Sequence, residues 1–175
     1  MTIRIAAMML AALFANLAAA GTGWAQSVSD PVPLLNGTEK AKVLYSIPYV
    51  YSDSNIAMCA ACTSTEKSNA GTSDWVAVEV FEEGTVQNDL TAGEGVTALN
   101  SGGYTQAICT RDPLSVGPAT LMGTEAEAVI RGAGRIVGTT NKLICTAFLV
   151  SVAGNPPTFM TILPLYKGTK QKGGM

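Results

Sequence analysis

Cys59 and Cys62 stand three residues apart in "MCAACTSTEK", and a C-x-x-C serves three different kinds of chemistry. It shuttles a disulfide, it supplies half of a zinc site, or it marks two structural cysteines on one strand. A redox C-x-x-C opens a helix whose N-terminus favours the attacking thiolate, inside a βαβ framework. The residues after Cys62 are "TSTEKSNAGTSD", full of turn formers, and a strand pattern follows them. A zinc site built from four cysteines would need Cys109 and Cys145 to converge on the pair, although those two form no second C-x-x-C. The chain has no histidine, so Ser-His-Asp and Cys-His mechanisms are excluded and no metal is expected. On a strand, residues three apart point to opposite faces, so Cys59 and Cys62 are expected to bond different partners.

Other groups with chemical potential are weaker. Glycoside hydrolysis needs two carboxylates facing each other across a cleft. Glu79, Glu82 and Glu83 crowd one strand end instead, and Glu125 and Glu127 suit a wet outer face. The run "RGAGR", Arg131 to Arg135, has glycine amides and two guanidiniums for an anion, yet lacks the G-x-G-x-x-G spacing and a following helix. It is expected to be a hairpin turn or bulge. Tyr45, Tyr49 and Tyr51 form a period-two row, and with Trp75 they are the candidate ligand-binding residues, in the manner of aromatic sugar platforms. No catalytic residue and no cofactor are assigned.

The elements that would carry these residues are strands. In "DWVAVEVFEEG", Val76, Val78 and Val80 fall on one face and Trp75, Ala77, Glu79 and Phe81 on the other. Such alternation is the mark of a half-buried strand. "KVLYSIPYVYS" is extended, with Pro48 favouring an edge or a bulge. "NIAMCAACTS", "EGVTALN", "YTQAICTR", "EAEAVIRG", "GRIVGTT", "KLICTAFLVSV" and "PTFMTILPLYKG" complete the set, with a turn expected at Gly132-Ala133-Gly134. Turn residues separate these runs and no amphipathic helix is evident. About eight strands at regular spacing predict an all-β fold, an antiparallel β-sandwich of immunoglobulin-like or jelly-roll-like type.

Before the strands, residues 1–25 have one early cation, Arg4, an apolar run from Ile5 to about Ala20, and small residues ending at Ala25. This is the pattern of a cleaved secretory signal peptide, and the run is short of the roughly 20 residues a spanning helix needs. Residues 26–40 are expected as a flexible lead-in with an Asn36-Gly37 turn. Residues 41–167 make one β-sandwich domain, and residues 168–175 a loose basic tail. The 175-residue chain has a formal net charge of −2 and a pI near 5.1, which excludes nucleic acid as a general partner. Export to the periplasm or the medium makes disulfides the expected state of all four cysteines, with three connectivities open.

Three segments together, "VAVEVFEEG", "GRIVGTTNKLICTAFLVSVAGNPPTFMTILPL" and "KGTKQKGG", resemble a family of small exported bacterial all-β proteins that has no assigned activity. The resemblance covers about half of the chain after its signal. In that family pattern one Cys-Thr pair precedes the V-x-V-E-V-F strand and another lies in the late apolar strand, here Cys62-Thr63 and Cys145-Thr146. The resemblance therefore implies a Cys62–Cys145 bridge, which leaves Cys59 and Cys109 for each other. Taken together, the sequence predicts an exported, non-enzymatic sandwich with a binding or structural role, its partner a protein or glycan at the cell surface. The competing expectations are a carbohydrate-binding module and a thiol–disulfide oxidoreductase working through Cys59 and Cys62.

Overall fold

The computed structural model describes residues 30–65, 73–82, 85–100, 103, 107–113, 119–123 and 129–168. The expected signal segment, most of the basic tail, Glu83, Glu125 and Glu127 lie outside these residues. Eleven strands follow in chain order: β1 (Lys42–Ser52), β2 (Ile56–Ser64), β3 (Ser73–Glu82), β4 (Thr85–Val86), β5 (Val96–Asn100), β6 (Ala107–Cys109), β7 (Ala119–Leu121), β8 (Ile130–Gly138), β9 (Leu143–Ser151), β10 (Met160–Leu163) and β11 (Tyr166–Lys167). No helix occurs among the described residues, and so none long and apolar enough to cross a membrane.

The strands form two sheets. The first has the order β11-β1-β8-β3-β4, with β5 also paired to β3; the second has the order β10-β9-β2-β6-β7. All pairings are antiparallel except β6 with β7, which run parallel. The sequence expectation of about eight wholly antiparallel strands is corrected by eleven strands and the one parallel pair; β4 and β7, of two and three residues, are too short to show a period of their own.

The apolar alternation read in the sequence is what joins the sheets. One core cluster takes Ile47 and Val50 from β1, Val76, Val78 and Val80 from β3, and Ile136 from β8. From the other sheet it takes Met58, Ala60, Leu143 and Ala147. Ile47, Met58, Val78 and Ile136 have no exposed surface, and each such side chain contributes roughly 1.5–3 kcal/mol relative to exposure. The β1–β2 connection carries the chain from one sheet to the other. There the Asp53 carboxylate accepts the Asn55 and Ile56 amides at 2.8 and 2.9 Å, fixing the turn.

Two sequence expectations concern how strands end. Gly132-Ala133-Gly134 is not a turn but the interior of β8, which pairs with β1 on one side and β3 on the other. Glycine is needed at 132 because a Cβ there would lie 1.8 Å from the Phe81 carbonyl oxygen, so it permits close approach rather than a reversal. The run "PTFMTILPLYKG" is not one strand. It breaks at Pro164, leaving β10 in the second sheet and β11 in the first. Pro48, by contrast, lies where the β1–β8 register shifts between Ile47 and Val50, the bulge its missing N–H favours.

Residues 30–40, the later part of the expected lead-in, lie against the outer face of the first sheet. Asn36 and Gly37 take φ of 50° and 70°, and Leu35 and Glu39 exchange backbone hydrogen bonds of 2.9 Å across them. Leu35 is fully buried with Ala77, Leu90, Val96 and Val137, with Trp75 packed alongside.

Candidate functional site

The four cysteines form two cross-strand bridges within the second sheet. Cys59 is joined to Cys109 and Cys62 to Cys145, each pair with a Cα–Cα distance of 4.1 Å. Both pairs are register partners, Cys59 opposite Cys109 on β2–β6 and Cys62 opposite Cys145 on β2–β9. Cys62 faces the core between the sheets, whereas Cys59 lies on the other face with Ala57, Cys109 and Val150. Cys59 and Cys109 have no exposed surface and Cys62 is nearly buried. Exchange requires an attacking thiolate to reach a sulfur in line, so this arrangement staples strands.

The aromatic row does not share one face. The bulge after Ile47 adds a residue and inverts the alternation, so Tyr45 turns inward and Tyr51 outward. Tyr45 packs on the core and its hydroxyl donates to the Leu143 carbonyl at 3.0 Å, crossing from the first sheet to the second. Tyr49 is exposed. The Tyr51 hydroxyl donates to Asp53 at 2.7 Å, and Arg131 lies over its ring at 5.9 Å. That hydrogen bond lowers the Asp53 pKa and raises that of Tyr51. Tyr51 pairs with Arg131 at one end of β8, while Trp75 adjoins Gly138 and Thr139 at the other, roughly 23 Å away at about 3.3 Å per residue.

Glu79 and Arg135, side by side on β3 and β8, are 3% and 1% exposed, and Arg135 Nε meets Glu79 Oε2 at 2.5 Å. The same guanidinium donates to the Asp30 and Pro31 carbonyls and lies 5.2 Å from the Phe81 ring centroid. Burial pushes the Glu79 carboxyl above its ordinary value, and Arg135 pulls it back. Arg135 is thus committed to the protein, and "RGAGR" is no anion cradle. Glu82 accepts the Arg131 amide at 3.1 Å and does not form a carboxylate pair with Glu79. A concavity of about 490 Å³ beside this pair includes Asn88, Asp89 and Glu94 in its wall. Their side chains brace the local turn: Asp89 Oδ1 accepts the Thr91 hydroxyl and amide, Glu94 Oε2 accepts the Asp89 amide, and Asn88 bonds to β3. Among the described residues no cluster of His, Cys, Asp and Glu could hold a metal.

A second concavity, of about 560 Å³, opens between the sheets where β1 and β9 begin. Lys42, Lys142 and Lys167 line it, together with Thr65 and Asn141. Tyr45 is in its wall, and Thr65 ties β2 to the segment before β9 by donating its hydroxyl to the Lys142 carbonyl at 2.9 Å. Val43, Leu44, Leu143 and Ile144 make its aliphatic part. The three lysines come from separate stretches of chain, so no local spacing announced them; Tyr45 alone among the candidate aromatics belongs to the site.

No known protein family matches the chain, and neither a curated protein nor a solved structure matches it.

Proposed function

We propose that this protein is an exported, non-enzymatic β-sandwich with a binding or structural role in the cell envelope or outside the cell. On this reading it is a member of the family of small exported bacterial all-β proteins that its sequence resembles. The observation that carries the reading is the pair of bridges, Cys59–Cys109 and Cys62–Cys145, which leave no free cysteine. Cross-strand disulfides on both faces of one sheet suit an oxidising compartment and a stable scaffold. The two sheets share one core, as the layers of a sandwich do. The separate partners of Cys59 and Cys62 count against the oxidoreductase alternative.

The test is expression of the full chain in a bacterial host, followed by fractionation and alkylation before denaturation. The reading expects a protein shortened by about the first 25 residues, outside the cytoplasm, with no alkylated thiol. Full-length, fully alkylated protein in the cytoplasm overturns it.

A further inference from the structure

We infer that the outer edge of β10 pairs with the same edge of a second copy of this chain, antiparallel and symmetric about Thr161. β10 ends the second sheet, and among the described residues it pairs with β9 alone. Which backbone groups its other edge presents follows from the ladder. Phe159 directly precedes β10, and its carbonyl accepts the Ser151 amide at 3.3 Å. In an antiparallel pair, alternate residues turn N–H and C=O towards the neighbouring strand, and the residues between turn them away. Phe159, Thr161 and Leu163 therefore face β9, whereas Met160 and Ile162 direct their N–H and C=O outwards. Groups in that arrangement are recognised by another extended strand.

The side chains at this edge suit such a partner. Ile162 is 74% exposed and Met160 53%, and both lie on the outer face of the sheet, opposite Phe148 and Val150. Edge strands are blunted against pairing by charge, by proline or by brevity. Here no residue from Leu143 to Tyr166 is charged, and none from Thr158 to Leu163 is proline. The other edges differ: β4 and β11 have two residues each, β7 has three, and β5 keeps Val96 and Leu99 buried. An uncharged edge complements an uncharged strand, and a second copy supplies one in a closed two-fold contact. The outward groups fix the register. Met160 exchanges backbone hydrogen bonds with Ile162 of the second copy, and Ile162 with its Met160. Thr161 then stands opposite Thr161 of the second copy, with Cα atoms about 4.5 Å apart. Four residues at about 3.3 Å each make a short seam, smaller than the roughly 1,200–2,000 Å² of a standard interface, so the dimer is weak.

The inference goes beyond the proposed function and needs no export, so the two fail separately. Disulfide-intact full chain carrying Thr161→Cys is mildly oxidised and run on a non-reducing gel. Ser54→Cys, exposed in the β1–β2 connection, is the comparison. Expected is a covalent dimer from Thr161→Cys, at least about tenfold more abundant than from Ser54→Cys, because residues so opposed lie within reach of a disulfide. Sedimentation of the unsubstituted chain should show a dimer with a Kd below about 1 mM. Ile162→Lys should weaken it about tenfold or more. Ile144→Lys should not, since Ile144 is 65% exposed on β9 but lies outside the stretch paired with β10. Thermal unfolding confirms that each variant is folded. Equal cross-linking of the two cysteine variants overturns the inference. Equal loss in Ile144→Lys overturns it in favour of contact through an apolar face. Monomer throughout overturns it and leaves the edge to a strand of a different protein.

Discussion

Arg135 is held on every side by the protein. Its guanidinium meets Glu79, two backbone carbonyls of the N-terminal segment and the Phe81 ring while 1% exposed. A buried pair is weak evidence of net stabilisation, but removing one partner strands the other charge. Arg135→Met is therefore expected to cost about 3–5 kcal/mol at neutral pH in urea unfolding. The penalty should depend on pH. Glu79 titrates above its ordinary value of 4.5 because of burial, and without Arg135 it rises further. A carboxyl raised in the folded state adds stability that is full below pH 4.5 and lost as pH rises through the folded value. The variant should thus approach the wild type on acidification and diverge from it towards neutrality. Asp53 and Asp89 run the other way. The Tyr51 hydroxyl holds Asp53 below the ordinary 3.8, and the Thr91 hydroxyl does the same for Asp89. Their contribution is full above pH 3.8 and falls as pH drops through their folded values, so Asp89→Asn should flatten the acid limb of a thermal-midpoint profile. Sequence alone places Glu79 on the face of Trp75 and Phe81, near a strand end crowded with carboxylates, and gives no sign of its burial. The cover comes from Asp30 and Pro31, more than a hundred residues from Arg135, and no local pattern encodes a contact at that distance.

Along one edge of β3 the ladder is completed by a side chain. β5 pairs with Ser73–Ala77 and β4 with Phe81 and Glu82, which leaves a gap between them. Asn88 fills it: Val80 N–H donates to Asn88 Oδ1 at 3.0 Å, and Asn88 Nδ2 donates to the Val78 carbonyl at 2.9 Å and the Glu94 carbonyl at 3.1 Å. The amide stands in for a peptide group of a neighbouring strand, and at 4% exposure water does not replace it. Asn88→Ala should cost about 3 kcal/mol in urea unfolding, since buried backbone groups lose their partners, and should speed amide exchange at Val80 first. The edge of β8 gives a steric counterpart. Gly132→Ala sets a Cβ against the Phe81 carbonyl, and strands β8 and β3 must separate locally, a loss of about 1–3 kcal/mol measurable the same way. What was legible at this scale followed period two without interruption: both faces of β3, and the opposite faces of Cys59 and Cys62 on β2. What was not legible were the parity changes. The extra residue at Pro48-Tyr49 moves Tyr51 to the opposite side from Tyr45, and a glycine pair that signals a turn in sequence signals close packing in β8.

At the scale of the whole molecule, the covalent bracing is lopsided. Both disulfides lie in the second sheet and both include β2, whereas the described part of the first sheet is held by its ladder, its half of the core and the segment folded over its outer face. Chain-entropy reasoning ties each bridge to the loop it closes, with sequence separations of 50 for Cys59–Cys109 and 83 for Cys62–Cys145. Replacing either pair by alanines should cost about 2–4 kcal/mol, with the longer loop worth only about 0.4 kcal/mol more. Packing reverses neither ranking nor scale, but it separates the consequences. Cys62 and Cys145 belong to the core shared by the two sheets, so their loss removes volume from the layer that holds the sheets together. Cys59 and Cys109 secure β6 from the outside, and β6 in turn carries the parallel strand β7. Hydrogen exchange on the two double variants therefore distinguishes them. Cys59→Ala with Cys109→Ala should raise exchange in β6 and β7 while leaving β3 and β8 protected. Cys62→Ala with Cys145→Ala should raise exchange in both sheets together, because Val78 and Ile136 lose part of the same core. If both variants loosened only β6 and β7, the two sheets would be energetically separate units and the core between them would contribute less than its burial implies.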